Sequence, residues 1–431
     1  MGHAALVISP AAYIVLPLIV AVSIVLMLIR PRGIPEVYWI GGGAVLLIGL
    51  RLVPLPLAGR AVAEGMDVYL FLIGMMLLSE LASANGVFHW LSSAAVRIAN
   101  GSRARLFTLI YGIGTVVTIL MSNDATAVVL TPAILAAVRK AKAEPLPYLF
   151  ACALIANAAS FVLPISNPAN LVVFRVGMPP LKQWLLSFGV PSVVSIAATY
   201  AVLRFVFRKE LSSDFDGAVP AEPLQSEGKL VLGGILVVVL ALLAASAMKK
   251  DLGLPTCLAA LAVTAAVSIK SRSNPIGLAR SISWATLILV AGLFIMVDAV
   301  ESIGALDLMR SWLAWAQKLA PAAGALIVGF AVGIGNNLVN NLPLGLIAGG
   351  TLEAAHAKGL IVHAVLIGVD LGPNLSVTGS LATILWLLAL RKEKLDVSFW
   401  RFLKLGALAM PVALMLSLGA AILMELLFKA S

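Results

Sequence analysis

Long apolar stretches alternate with short polar loops along the whole chain, and their lengths predict membrane-spanning helices. A spanning helix needs about 20 consecutive apolar residues. The runs cover residues 12–29, 38–53, 67–84, 105–138, 146–178 and 183–207, then 229–247, 254–270, 282–300, 322–356, 361–391 and 402–428. We interpret the first run as a spanning helix and not as a cleaved signal, because no basic segment precedes it and no small-residue cleavage site follows it.

The two sets of six runs resemble each other at a nearly constant offset. Acidic or amide residues and glycines recur about 213 to 218 residues apart in the third, fourth and fifth runs. The matched positions are Glu80 with Asp298, Gly86 with Gly304, Asn123-Asp124 with Asn340-Asn341, and Asn167 with Ser380. A weak internal repeat of this kind is typical of secondary transporters.

The fourth and fifth runs of each set are too long for one span and are interrupted by polar residues, Gly and Pro. We predict that each fourth run (105–138 and 322–356) is a re-entrant hairpin and each fifth run (146–178 and 361–391) a broken helix. Each half then crosses the membrane five times, and an odd number of crossings inverts the second half. The predicted fold is an all-α polytopic membrane protein with two inverted-topology repeats, 1–207 and 229–431, joined by a cytoplasmic linker at 208–228.

Composition and charge agree with this fold. The chain is 61% hydrophobic and 12% charged, whereas a soluble domain is about one quarter charged. Its net charge is +10, but the basic residues lie in short loops between apolar runs, where they set orientation. Lys and Arg fall two to one in loops that are cytoplasmic if both termini are outside. We therefore expect no nucleic-acid binding, and predict that the N-terminus and the C-terminus lie outside.

The predicted helix breaks are the places to search for chemistry, since freed backbone groups within a membrane must face protein or a watery cavity. Asp124 lies at the break Met121–Thr126, in a run that is otherwise free of charge. A carboxylate at membrane depth costs roughly 2.5–3.5 kcal/mol or more, so we expect a proton or ion carrier. The alternative is that Asp124 caps the second hairpin helix, since Asp is a good N-cap.

Amides and hydroxyls dominate the other three breaks. Pro164 and Pro168 exclude a continuous helix, the third break has four asparagines, and the fourth has one acid, Asp370, whose counterpart in the first half is Asn157. Each matched pair thus has one acid and one amide. The candidate solute- or proton-binding residues are Asn123, Asp124, Ser166, Asn167, Asn340, Asn341, Asp370, Thr378 and Ser380.

These side chains favour a neutral, hydroxyl-rich solute exchanged for protons. No Lys or Arg lies near a break, which disfavours an organic dianion. The two cysteines, Cys152 and Cys257, and four histidines form no metal-binding pattern, so we expect no metal site and no cofactor. No nucleophile–base set is apparent, and we do not expect an enzyme.

Three stretches resemble the ArsB-type arsenite efflux pumps of the ion transporter superfamily. They are Ser122–Pro132, Asn336–Pro343 and Gly368–Asn374 with the following Gly379–Trp386. The resemblance implies export of arsenite and antimonite by proton antiport across the bacterial cytoplasmic membrane, with a scaffold part and an elevator-type transport part. It also implies possible association with a cytosolic arsenite-stimulated ATPase, and it assigns coupling or binding roles to Asn123, Asp124 and Asp370.

The residues themselves agree with this solute, because arsenite is mostly an uncharged trihydroxide at neutral pH. Capture by three thiolates of one chain is excluded, since the chain has two cysteines. A sodium/proton antiporter of the same superfamily, using the same acids as a cation site, remains the main alternative. An organic-anion symporter and an intramembrane enzyme are the others.

Overall fold

In a computed structural model, residues 12–175, 177–215, 223–271, 275–304 and 306–430 are described. Within these ranges every regular element is a helix. Eight of the described helices are long and apolar enough to cross a membrane, and four shorter apolar helices accompany them. The predicted all-α polytopic membrane fold is confirmed.

In the described part of the chain, ten α-helices end before residue 208 and ten more begin at Ser226 or later, so the eleventh helix starts within the predicted linker. The first ten are α1 (Ala12–Ile29), α2 (Glu36–Gly49), α3 (Leu55–Glu64), α4 (Met66–Ala84), α5 (Val87–Ala99), α6 (Arg103–Leu120), α7 (Thr131–Lys140), α8 (Leu146–Ala158), α9 (Pro168–Val173) and α10 (Leu181–Val206). The second ten are α11 (Ser226–Ala247), α12 (Gly253–Ser271), α13 (Pro275–Ser281), α14 (Trp284–Ser302), α15 (Asp307–Ala316), α16 (Pro321–Val339), α17 (Asn341–Ala354), α18 (Leu360–Leu371), α19 (Leu381–Lys392) and α20 (Phe399–Ala430).

The packing sorts these helices into two bundles. The first bundle consists of α1–α4 and α11–α14, and the second bundle of α6–α10 and α16–α20. Reciprocal pairs occur in both: α4 packs on α12 as α14 packs on α2, and α6 packs on α8 as α16 packs on α18. The element order and packing of the two halves thus correspond, while the inversion of one half relative to the membrane stays a prediction.

The chain reverses direction between α6 and α7. Thr118 and Thr126 share a hydrogen bond between their hydroxyls at 2.8 Å, although residues eight apart in a straight helix would be separated by about 12 Å. A π-helical turn, Ala125–Leu130, leads from the reversal into α7. Between α16 and α17 the chain turns at Asn340, whose φ of 77° and ψ of 154° belong to a region used almost only by glycine.

Both fifth runs are broken helices. α8 ends at Ala158, and a 3₁₀ turn at Pro164–Ser166 and an extended Asn167 precede α9. α18 ends at Leu371, and 3₁₀ turns at 372–374 and 377–379 precede α19. The prolines account for the first break, since a proline in a helix interior removes a backbone hydrogen bond.

The first residues of the linker, up to Phe215, form hydrogen bonds with the beginning of α6. The Phe215 N–H donates to the Gly101 carbonyl at 2.8 Å, and Arg103 Nη1 donates to the Glu210 carbonyl at 3.3 Å. The linker is rich in acidic residues, two of which, Asp216 and Glu222, lie outside the described residues.

Candidate functional site

The tip of the first hairpin leaves Asp124 available to a solute. Ser122 Oγ accepts a hydrogen bond from the Ala125 N–H at 3.3 Å, as a capping residue does, whereas Asp124 makes no capping bond. The alternative that Asp124 serves as the cap is therefore wrong in this structure. Beside it, Asn123 is 2% exposed, and its side-chain oxygen has no hydrogen-bond partner among the described residues.

Asp124 lines a cavity between the two bundles. The cavity has a volume of about 110 Å³. The second bundle contributes the hairpin tip, Pro168 at the start of α9, and two leucines of α19. The first bundle contributes α4 between Leu72 and Glu80, and the stretch from Ser281 at the end of α13 to Thr286 at the start of α14. The polar lining residues are Ser79, Glu80, Ser122, Asp124, Ser281, Ser283 and Thr286.

No Lys or Arg lines this cavity within the described part of the chain. It therefore presents carboxyl and hydroxyl groups to a solute without a fixed positive charge. The same described residues contain no group of three His, Cys, Asp or Glu side chains that could hold a metal ion.

Asp370 lies deeper, where the two broken helices meet. It is fully buried, and Asn167 Nδ2 donates to its Oδ1 at 2.7 Å. Its second oxygen, Oδ2, has no hydrogen-bond partner among the described residues. Pro168, next to Asn167, lines the cavity that contains Asp124. Asn167 therefore connects the buried acid to the cavity wall.

Asn157, the amide counterpart of Asp370, also binds across the two halves. Its Nδ2 donates to Asn374 Oδ1 at 3.0 Å, and Asn374 Nδ2 donates to the Leu154 carbonyl at 3.0 Å. The Asn157 side-chain oxygen has no partner in the described residues. Each matched position thus has one bonded and one unpartnered polar atom, both buried.

Asparagine side chains of the third helix break donate hydrogen bonds to backbone carbonyls at the fourth helix break. Asn336 Nδ2 donates to the carbonyls of Gly368 and Val369 at 2.9 and 2.8 Å. Asn340 Nδ2 donates to the Thr378 carbonyl at 3.3 Å. Gly372 permits the close approach, since a Cβ there would overlap the Asn336 side chain. The bond to Val369 satisfies a carbonyl whose helical donor position is Pro373, which has no N–H. The bond to Gly368 adds to the one that this carbonyl accepts from the Gly372 N–H.

The predicted site residues therefore separate into two groups. Asn123, Asp124 and Asp370 retain free polar atoms or line the cavity. The others have their groups engaged in bonds that maintain the breaks, although Asn341 is buried with no side-chain bond found among the described residues. Ser166 donates to the Ile119 carbonyl, Thr378 donates to the Asn337 carbonyl, Asn167 and Asn340 cap α9 and α17, and Ser380 caps α19.

The sequence pattern did not single out several participants. Asn374 follows a Gly-Pro pair in a predicted break, a signal that could have marked it. Ser283 and Thr286 lie at the start of an apolar run, where nothing in the sequence distinguishes them from loop residues. Only the fold brings them opposite Asp124.

Residues 4–369 match the family described as citrate transporter, CitMHS. The arsenical pump membrane protein of Escherichia coli strain K12 is 28% identical over 422 residues, which cover 93% of this chain and 96% of that protein. The corresponding protein of Yersinia enterocolitica is 26% identical over 426 residues, covering 93% and 96%. These matches confirm the resemblance to ArsB-type pumps.

Among solved structures, the chain is similar to the YdaH transporter of Alcanivorax borkumensis. The two share 16% sequence identity at a TM-score of 0.55, over 88% of this chain and 89% of that one. At this identity the likeness concerns the fold alone.

Proposed function

The chain belongs to the citrate transporter family, CitMHS, and we propose that it exports arsenite, and also antimonite, in exchange for protons. The observation that carries this proposal is the cavity between the bundles, which presents two carboxyls and several hydroxyls without a lining Lys or Arg among the described residues. Arsenite at neutral pH is an uncharged trihydroxide, whose three O–H groups suit carboxylate and hydroxyl acceptors. The names of the curated relatives support the same solute.

Citrate itself suits this cavity poorly. A multiply charged carboxylate needs cationic or dipolar partners, and the cavity offers carboxyls in their place. The family description therefore supports a transporter, while the lining residues favour a neutral solute within it.

Proton coupling is assigned to Asp124 and Asp370. Ionisable residues inside a membrane span are typical of proton relays, and both acids have oxygens free of fixed positive partners. We propose an elevator movement of the second bundle, which contains all four helix breaks, against the first bundle as scaffold. The location is the bacterial cytoplasmic membrane with both termini outside, and the linker is a docking site for a cytosolic arsenite-stimulated ATPase.

Transport into everted membrane vesicles tests the function. In vesicles from a host without its own arsenite exporter, we expect arsenite uptake when respiration acidifies the lumen, and its loss when nigericin dissipates the pH gradient. Antimonite should compete, and citrate should not. Uptake that ignores the gradient would refute proton coupling, and a sodium-induced pH change without arsenite would favour the sodium/proton antiporter.

A further inference from the structure

One acid of the first bundle faces the cavity, and its counterpart in the repeat does not. Glu80 on α4 lines the cavity with Asp124. The matched Asp298 on α14 lies instead 3.6 Å from Arg175 Nη1, in a group of ion pairs. Within the described residues no ion pair or hydrogen bond engages Glu80, so a structural role comparable to that of Asp298 does not explain its presence.

Ser79, the neighbour of Glu80, provides independent evidence of a ligand site. Its side chain is 7% exposed and lines the same cavity, yet its hydroxyl has no hydrogen-bond partner among the described residues. A buried polar group without a partner costs about 1–3 kcal/mol. A solute that supplies the missing hydrogen bond would remove this cost.

Two further hydroxyls of the first bundle lie along the cavity. Ser283 and Thr286 share a hydrogen bond at 2.8 Å, which leaves each oxygen with remaining acceptor capacity. The first bundle therefore offers one carboxyl and four hydroxyls, opposite Asp124 and Ser122 of the second bundle. The fourth hydroxyl, that of Ser281, already donates to the Gly277 carbonyl at 3.1 Å.

We propose that Ser79, Glu80, Ser283 and Thr286 form the first-bundle half of the solute site, with Glu80 as a specificity-determining residue. This inference rests on the proposed function. A trihydroxide donates hydrogen bonds to Glu80 on one side and to Asp124 on the other, while Ser79 completes its own bonding with a solute oxygen. Two carboxyls on facing walls also repel anions, which excludes oxyanions and carboxylates of similar size.

The apparent KM for arsenite tests the role of Glu80. Because hydrogen bonds to charged acceptors are the stronger ones, Glu80→Gln should raise the KM for uptake into everted vesicles by about tenfold. Ser79→Ala should raise it severalfold. The control is Asp67→Asn on the same helix, since Asp67 accepts a bond from the Gly253 N–H and does not line the cavity. An unchanged KM in Glu80→Gln, or an equal rise in Asp67→Asn, would overturn the proposal.

A labelling experiment tests the same residues without transport. The native cysteines, Cys152 and Cys257, are buried. In everted vesicles a membrane-impermeant thiol reagent should modify Glu80→Cys rapidly and should leave Thr264→Cys, which is buried in the same bundle, unmodified. Modification of Glu80→Cys, together with a wild-type protein that transports no arsenite, would refute the proposed function but would still place Glu80 in an accessible cavity wall. An unreactive Glu80→Cys beside normal wild-type transport would refute only the present inference.

Discussion

At the scale of residues, the buried acid Asp370 and its counterpart amide Asn157 each have one polar atom in a hydrogen bond and one without a partner within the described part of the chain. Asp370 has one oxygen bonded to Asn167 and one without a partner in the described residues. Asn157 has a bonded nitrogen and an unpartnered oxygen. The acids and amides could be predicted as candidates from their position in apolar runs. Which atom remains free could not, because the partners come from about 200 residues away in sequence.

Replacing Asp370 by Asn should remove coupling while the fold survives. The amide has nearly the same shape, and its oxygen can still accept the bond from Asn167, so we expect a melting temperature in detergent close to that of the wild type. The amide, unlike the carboxyl group, cannot bind and release a proton. Coupling free energies of about 1–3 kcal/mol correspond to roughly five- to 150-fold effects, so gradient-driven arsenite accumulation should fall by about tenfold or more. Asp124→Asn should behave in the same way.

The opposite pattern is expected for Asp67→Asn. The charge-assisted bond from the Gly253 N–H to Asp67 Oδ1, at 2.6 Å, joins α4 to α12 and has no place in the cavity. Its weakening should cost about 1 kcal/mol of stability with coupling intact. If Asp370→Asn and Asp124→Asn both accumulate arsenite like the wild type, the assignment of these acids is wrong.

At the scale of elements, the breaks are better predicted than their internal structure. Pro164 and Pro168 mark one break plainly, because a proline ends a helix wherever it falls in the interior. The cap at the first hairpin is different, since Ser122 and Asp124 are equally good caps by residue type. The π-helical turn after the reversal aligns Ser122 with the Ala125 N–H. The local sequence does not encode that choice.

Asn340 joins the third and fourth breaks, and two substitutions separate its roles. Its backbone occupies a glycine-favoured region, where a non-glycine residue is strained by about 1–3 kcal/mol. Its side chain caps α17 through the Leu342 N–H and donates to the Thr378 carbonyl. Asn340→Gly relieves the strain but loses both side-chain bonds. A glycine costs only a few tenths of a kcal/mol at an N-cap, so stability should be unchanged or higher. Asn340→Ala retains the strain and loses both bonds, and should melt several degrees lower.

The two variants should differ in stability but should both be impaired in transport. Both remove the hydrogen bond between the breaks, so both should transport arsenite more slowly than the wild type. Full activity of Asn340→Gly would show that the bond to Thr378 serves folding alone.

At the scale of the whole molecule, the two bundles meet differently at the two ends of the site. On one side lies the cavity with Glu80. On the other side Arg175, which follows α9 of the second bundle, lies among three carboxyls of the first bundle. The distances from its guanidinium nitrogens are 3.8 Å to Glu64, 3.6 Å to Asp298 and 3.3 Å to Glu301. In the predicted orientation this contact is external and the cavity opens to the cytoplasm.

The Arg175 contact should hold the bundles in the cytoplasm-open arrangement. A partly exposed group of ion pairs contributes about 1 kcal/mol of stabilisation. A free-energy difference of that size changes the ratio of two conformational populations by about fivefold. Arg175→Gln should therefore slow the labelling of Thr286→Cys, at the cavity mouth, by an impermeant thiol reagent in everted vesicles by up to about that factor. The labelling rate falls because, without the ion pairs, the second bundle occupies the cytoplasm-closed arrangement for a larger fraction of the time.

The matched control lies within one bundle. Arg139 at the end of α7 pairs with Glu393, after α19, at 2.9 Å, so its loss changes no contact between the bundles. Arg139→Gln should leave the labelling rate of Thr286→Cys unaltered, although the exposed pair is similar in chemistry. Equal rates in all three backgrounds would mean that Arg175 stabilises the fold without favouring either arrangement. A decrease confined to Arg175→Gln would identify the ion pairs between bundles as the element whose release permits movement.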